Sequence, residues 1–309
     1  MPSPRRAQRR SDSVSICGHL CSSVDFVRAT VASLIFALAL ATPATAAPQR
    51  IVSLAPSVTE TLFALGVGDR LVCVSTYCDY PPEAARIDKV GTFLAPNVER
   101  ILAKRPDLVI AVPSPANRTP VERLRDLGLE VLIVNPERID EILASIRTIA
   151  AAVGVQEAGA RLVERVEAGV KAVEARVAGA PAVRTLLLVG RSPFVAAGAG
   201  TYQDELVTRG GGTNIAAGSG QAWPNLSLEF IVAQAPQVII DASMGSEEGA
   251  DSATSVEFWG DFPTIPAVRD KRIYGYRAYE LLRPGPRVAE TLATVARFIH
   301  PERFEDPAR

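Results

Sequence analysis

The sequence predicts an α/β protein: two Rossmann-like βα lobes joined by one long backbone α-helix, with a ligand cleft between the lobes. Three observations predict it. Short apolar strands alternate with helical segments in both halves of the chain, the pattern of βαβ units around a mostly parallel sheet. Residues 156–178 carry no strand signal and read as one unbroken helix. One phrase is written twice: NVERILAKRPDLVIA (97–111) and SLEFIVAQAPQVIID (227–241) share Glu, Ile, Ala, Pro and a second Ile at the same spacings, Glu229 lying 130 residues after Glu99. A chain of 309 residues is long enough for two lobes. A repeat interrupted by a lone helix favours two lobes over a single extended sheet.

The elements follow in order. RIVSL (50–54) is a short apolar strand. Ser57 followed three residues later by Glu60 is a capping-box pattern, opening a helix that Gly66 stops. RLVCVS (70–75) is a second strand, and TYCDYPPEA (76–84) a loop rich in Tyr and Pro. Asn97 can cap a short helix from Val98 to Lys104, Pro106 bars its continuation, and LVIAV (108–112) is a strand. ERLRDLG (122–128) is a helix closed by Gly128, EVLIV (130–134) a strand, and IDEILASIRTIAAAVG (139–154) a helix by apolar spacing. In 156–178, Leu162, Val166, Val170, Val173 and Val177 recur at three- and four-residue steps, predicting a helix about 34 Å long at ~1.5 Å per residue. After Gly179-Ala180-Pro181 the alternation restarts: VRTLLLVG (183–190), a helix near 201–210, the second copy of the phrase with VIID (238–241), a helix around 256–262, RIYGY (272–276), and a last helix over 285–299. The organisation expected is a leader over 1–46, an N-terminal βα lobe over 47–155, the linking helix over 156–180 and a C-terminal βα lobe over 181–309.

The leader has the composition of a secretory signal peptide. Arg5, Arg6, Arg9 and Arg10 precede the apolar run VASLIFALAL, too short for the ~20 residues a membrane span needs, and Ala44-Thr45-Ala46 fits a small-x-small cleavage site. Cleavage after Ala46 is expected, with release into the periplasm; no cysteine stands at that point for a lipid anchor. Removing the leader's five Arg and two Asp from 33 basic and 34 acidic residues leaves 28 and 32, a net charge of −4. A mildly acidic product is a poor partner for nucleic acid. Cys73 and Cys78 remain, either as a small disulfide loop or as two separate buried thiols. The one remaining histidine, His300, sits near the C-terminus, expected as a helix-end cation or a surface residue. With no histidine elsewhere, His-based metal sites and Ser-His-Asp chemistry are not expected, and no GxSxG elbow accompanies Ser192 and Asp241. No catalytic residue and no metal site is assigned.

Within the repeat, Asn97 and Ser227 are N-caps that place Glu99 and Glu229 at the second helical position. The exposed N–H groups there favour a carboxylate by ~0.3–1 kcal/mol, a sufficient reason for either glutamate alone. The duplication also offers two matched anchoring points to a symmetric basic partner. Six residues ahead of each glutamate stands an aromatic, Phe93 in GTFLAPN and Trp223 in QAWPN. Loops at strand carboxyl ends form the ligand crevice in open α/β sheets. Tyr77, Tyr80 and Phe194 lie in comparable loops. A weakly charged cleft with aromatics suits a large, flat, partly apolar ligand.

Taken together, IVSLAPSVTETLFALG, STYCDYPPEA, NVER, RPDLVIA, AWPNLSLE and the central helix resemble the ABC-transporter substrate-binding proteins with a helical backbone, which carry cobalamin, ferric siderophores or haem. The resemblance covers nearly all of the chain after residue 46, and the STYCDYPP segment and the Trp-Pro loop lean towards cobalamin. It implies a monomeric periplasmic binder, not an enzyme, that holds cobalamin or a related metal chelate and needs no cofactor of its own. It implies Tyr77, Phe93 (where the cobalamin branch has Trp), Phe194 and Trp223 as ligand-binding residues, and Glu99 and Glu229 as docking posts for an ABC importer permease dimer. The segment YRAYELLRPGPR (276–287) departs from the cobalamin branch. With Arg191, Arg283 or Arg287 turned into the cleft, an anionic siderophore becomes the alternative cargo; haem would require Tyr77 or Tyr80 as axial ligand. The family's zinc and manganese binders need histidines that this chain lacks.

Overall fold

The computed structural model describes residues 47–243, 252–276 and 278–304. The signal peptide expected over residues 1–46 lies outside the described residues, and no described helix is long and apolar enough to cross a membrane.

The first half builds a four-stranded parallel sheet, β2-β1-β3-β4, from β1 (Ile51–Ser53), β2 (Leu71–Val74), β3 (Leu108–Ala111) and β4 (Val131–Ile133). β1 and β3 are buried on both faces, which their unbroken apolar runs require. Helices α1 (Pro56–Ala64), α2 (Val98–Ala103), α3 (Arg118–Asp126) and α4 (Ile139–Ala152) follow the strands in turn. The second half builds a six-stranded mixed sheet. β5 (Val183–Arg191), β9 (Val238–Asp241) and β10 (Ile273–Gly275) run parallel, and β7 (Gly212–Asn214) pairs parallel with the start of β5. β6 (Phe194–Ala196) turns back antiparallel on β5, and β8 (Asn225–Leu226) adds to β6. Between the halves runs α5, Gln156–Val177, 22 residues and about 33 Å long at ~1.5 Å per residue.

The predicted valine stripe of α5 is its buried face: Leu162, Val166, Val170, Val173 and Val177 are all buried. Each contributes on the order of 1.5–3 kcal/mol of apolar transfer. After α6 (Tyr202–Arg209) and α7 (Leu228–Gln234), the second half adds α8 (Ser252–Gly260), α9 (Pro266–Arg269), α10 (Ala278–Leu281) and α11 (Val288–Ile299), and α5 lies against α4 of the first half and α11 of the second. Two glycines let the helices close in. A Cβ on Gly159 would come 2.4 Å from the Ala150 Cβ of α4, and one on Gly169 would come 2.7 Å from the Ala289 Cβ of α11. One apolar cluster therefore runs from β1 through α4 and α5 into α6 (Tyr202–Arg209) and α11.

The duplicated phrase is duplicated in detail. It forms α2–β3 and α7–β9, with α7 spanning Leu228–Gln234. Each helix ends at a left-handed residue, Arg105 at φ 45 and Ala235 at φ 46, again 130 positions apart. An arginine closes each C-terminus: Arg50 donates to the carbonyls of Lys104 and Arg105 (3.1 Å or less), and Arg184 to those of Gln234 and Ala235 (3.1 and 3.2 Å). Arg50 immediately precedes β1 and Arg184 is the second residue of β5, the strands that pair with β3 and β9, so the unit repeated is strand, helix and lock together.

Two expectations are corrected, and the open choice for the cysteines is resolved. The capping box at Ser57 and Glu60 does not form: α1 begins with Pro56 at its first position after Ala55, without a side-chain cap, and Glu60 is drawn into the core by partners from the second half. His300 is no surface residue. It is buried at the end of α11, one ring nitrogen on the Gly211 carbonyl and the other on Glu302 (3.1 Å each). Cys73 and Cys78 are two separate buried thiols, in different apolar clusters.

Candidate functional site

The loops at the carboxyl ends of the two sheets face each other across a cavity of about 320 Å³. The first half supplies Val112, Asn135 and Glu137 to its wall; the second supplies Thr201, Tyr202, Trp223 and Pro284. Trp223 is 46% exposed here, an indole presented rather than packed. Gly198 makes that possible: a Cβ on it would fall 2.0 Å from the Gln221 carbonyl oxygen, so only glycine lets the 221–223 loop lie this close to the end of β6.

The other predicted aromatics are placed differently. Tyr77 is half-exposed on the loop after β2, and its carbonyl accepts from Arg283 at 2.9 Å. Phe93 is half-buried against the main core. Its carbonyl accepts from the Asn117 amide (3.2 Å), which also donates to Val112 (2.9 Å) on the cavity wall. Buried Asn117 thus ties the Phe93 loop to the cleft, with its side-chain oxygen taken by the Ser114 amide at 3.0 Å. Phe194 departs from expectation. As the first residue of β6 it packs on the second apolar core, stacked on Trp259 at 5.7 Å and edge-on to Phe258 at 6.0 Å, and it does not line the cavity.

The three arginines considered for an anionic ligand are all matched to carboxylates. Arg191 bonds Asp241 at 2.8 Å, a carboxylate with no exposure that also accepts from Ser243 and from the Trp259 indole. Arg287 grips Glu60 with two hydrogen bonds of 2.8 Å, while its guanidinium carbon lies 3.8 Å from the Tyr80 ring centre. Arg283 lies 3.6 Å from Glu60 and 2.5 Å from Asp79. Burial pushes the Asp79 carboxyl up, but the hydrogen bond and charge of Arg283 outweigh it and leave it below the usual aspartate range. The Glu60 bond likewise raises the already high pKa of Arg287.

The contacts of Arg283 and Arg287 cross between the halves. Glu60 stands on α1 of the first, and Arg283 and Arg287 on the segment before α11 of the second. A reciprocal contact lies at the other end. Glu205, buried on α6, accepts from the Ile139 amide at 2.8 Å, at the start of α4, a helix with no side-chain cap of its own. Arg209 at 2.7 Å and Arg138 at 3.6 Å balance its charge. Each half thus buries one glutamate that the other half answers. Sequence alone assigned Glu60 to a cap and left Glu205 and Asn117 without a role. Their signal was weak: a carboxylate or amide in a segment otherwise destined for the core.

Glu99 and Glu229 occupy the predicted equivalent places. Asn97 Oδ1 accepts from the Arg100 amide (2.8 Å) and Ser227 Oγ from the Phe230 amide (3.2 Å), leaving each glutamate exposed in the first turn. The backbone amide of Glu229 itself, with the Ser227 hydroxyl, lowers its carboxyl pKa. Glu99 has Arg123 at 3.8 Å, both side chains largely exposed. Neither glutamate touches the cavity.

The family model for periplasmic binding proteins matches residues 51–280. The chain is 35% identical over 241 residues to the Vitamin B12-binding protein of Yersinia pseudotuberculosis serotype O:1b, covering 78% of this chain and 84% of that one. It is 33% identical over 237 residues to the Vitamin B12-binding protein of Yersinia pestis strain Pestoides F, covering 77% and 83%. Among solved structures it resembles the periplasmic vitamin B12 binding protein BtuF of Vibrio cholerae with a TM-score of 0.73 and 28% identity, over 84% of this chain and 99% of that chain. It also resembles the periplasmic heme-binding protein RhuT of Roseiflexus sp. RS-1, with a TM-score of 0.74 and 29% identity, over 82% and 99%.

Proposed function

The chain belongs to the periplasmic binding protein family, and we propose that it captures cobalamin or a related corrinoid between its lobes and delivers it to an ABC importer. The single observation that carries the cargo is the 35% identity to a Vitamin B12-binding protein across 78% of the chain. The site agrees with it chemically. A corrin is a broad, nearly flat macrocycle edged with amides, and the interlobe cavity offers the half-exposed indole of Trp223 beside the Asn135 amide. Tyr77 and Phe93, on loops tied to the cleft by Arg283 and Asn117, are proposed as further ligand-facing positions. Phe194 supports the C-terminal wall through its stack on Trp259 rather than meeting ligand.

The protein works by holding and releasing its cargo, with no covalent chemistry. Closure is small. α5 packs into both halves, and the Glu60 and Glu205 contacts fasten the junction. Glu99 and Glu229, outside the cleft, are proposed to meet the two halves of a permease dimer, giving orientation and association rate more than affinity. Residues 1–46 are proposed to be the cleaved export signal of a monomeric periplasmic protein.

A ferric siderophore or haem is the second reading, which the haem-binding structural relatives favour. Against an anionic siderophore stands the pairing of Arg191, Arg283 and Arg287 with carboxylates, which leaves their charge already answered. Titrating the mature protein with cyanocobalamin, a ferric siderophore and haemin, followed by tryptophan fluorescence, tests the choice. Saturable quenching by cyanocobalamin is expected. A response only to haemin or to the siderophore overturns the corrinoid assignment.

A further inference from the structure

The two copies of the repeated phrase match in backbone and differ in what they show to solvent. α2 and α7 share a side-chain cap, a left-handed end and an arginine lock. Yet α2 and its end carry one carboxylate, Glu99, and three cations, Arg100, Lys104 and Arg105, whereas α7 and its end carry Glu229 and no cation. The places of Arg100, Leu102, Lys104 and Arg105 are taken, 130 residues on, by Phe230, Val232, Gln234 and Ala235. Phe230 and Val232 are both exposed, on either side of Ile231, which is buried in the second apolar core.

Charge separates the two posts further. Arg123 of α3 stands 3.8 Å from Glu99, and Lys104 is paired with Asp88. Among the described residues no cation acts on Glu229, whose carboxylate answers to its own backbone amide and the Ser227 hydroxyl. Beside Phe230 a groove of about 390 Å³ opens between α7 and the turn at 217–219, lined also by Thr213, Ile215, Ser219 and Gln234. Arg184, on the same wall, already gives its guanidinium to the α7 carbonyls. The first lobe exposes Leu94 in the loop ahead of α2, so what sets the posts apart is above all charge.

We propose that docking on the permease is lopsided. The C-terminal lobe makes the principal grip: Glu229 meets a basic side chain, Phe230 and the groove beside it seat an apolar side chain next to that cation, and Glu99 adds little. The proposal rests on the docking reading above and deepens it. A two-fold permease offers the same patch to both lobes. Its cation meets an unopposed carboxylate at α7. At α2 it meets a carboxylate already faced by Arg123, with Arg100 next in the chain, at separations inside the ~8 Å screening length of physiological salt. An aromatic side chain desolvated by its partner carries much of the energy of an interface, while rim charges set approach and orientation.

Ala103 and Ala233 are exposed alanines at matched positions, one helical turn after each glutamate, so a probe at either reports on its post with the same residue replaced. The test places a benzophenone amino acid at position 103 or 233 in host cells, photoactivates it and identifies the adducts by mass spectrometry; circular dichroism and melting temperature establish that each variant is folded. The probe at 233 is expected to join an integral membrane permease in about fivefold or greater yield than the probe at 103. Phe230→Ser or Glu229→Ala is expected to cut the yield at 233 about fivefold or more, the scale of losing an interface anchor, and Glu99→Ala to change it less than about twofold. Arg123→Ala, which frees Glu99, is expected to raise the yield at 103. Equal yields at the two positions, or a yield at 233 indifferent to Phe230→Ser, overturn the lopsided grip and leave the two-post docking intact. No permease adduct at either position overturns the docking reading as well.

Discussion

Glu60 and Arg287 stand 227 residues apart in the chain and meet through two hydrogen bonds of 2.8 Å, one to each carboxylate oxygen. The glutamate is 3% exposed. Removing one side of a buried pair strands the other charge and costs ~3–5 kcal/mol. Glu60→Gln is therefore expected to lower the urea unfolding free energy by about that amount, because Arg287 loses its anion while Arg283 keeps only Asp79. Adding Arg287→Met should recover part of the loss. A single-mutant loss below about 1 kcal/mol would show that the pair behaves like a surface contact instead.

Acid should loosen the same junction at Asp79. Its folded pKa is below its ordinary value, so its contribution is present above the ordinary aspartate pKa and fades as pH falls through the lowered one. Wild type and Asp79→Asn should therefore differ in stability at about pH 5 and converge towards about pH 2. Denaturant melts across that range check it; a gap that widens on acidification contradicts the sign.

The two tryptophans divide the optical signal. Trp259 is fully buried with its indole N–H on Asp241 at 3.0 Å, whereas Trp223 is 46% exposed in the cleft. Trp223→Phe is expected to abolish most of the ligand-dependent change in emission maximum while leaving the blue-shifted Trp259 band. Retention of the full shift in this variant would place the ligand away from Trp223.

Glu99→Ala with Glu229→Ala is expected to leave ligand affinity within about twofold, as rim charges do, and to reduce uptake in reconstituted importer vesicles. Unchanged uptake removes the docking role. Ser227→Ala is the control for the helix itself, costing ~0.5–2 kcal/mol of stability through the lost cap without altering charge.

The thiols should be silent in the native state. Burial raises the Cys73 pKa to about 11 and raises that of Cys78 as well. Thiolate is the reactive form. A maleimide at about pH 7 should label neither residue in the folded mature protein and both in urea. Labelling of the folded form at the unfolded rate would contradict their burial.

Much of the frame was legible from spacing. The valine stripe of 156–178, the caps at Asn97 and Ser227 and the Pro stops of the repeat are local signals, and the structure realises each of them. What escaped depends on partners far away in the chain. Glu60 fits a capping box perfectly well until Arg287 is brought to it. β6, β7 and β8 are three residues or fewer, too short for alternation to register, and the pairing of β6 with β5 and β8 is what lays Phe194 against the second core. Trp223 was legible because its neighbours Gln221 and Asn225 deny it a core, whereas nothing beside Phe194 did so. His300 was misjudged because its partners, the Gly211 carbonyl and Glu302, give a tail residue an interior address.

Each sheet is assembled from its own half of the chain, residues 51–133 and 183–275. For a polypeptide delivered N-terminus first across a membrane, order of arrival becomes order of assembly. The first sheet can be complete while the second is still in transit, but Glu60 has no cation until Arg283 and Arg287 come through near the very end. The junction then acts as a seal of completion. A product truncated before that segment lacks both the cations and the cover that make Glu60 an interior residue.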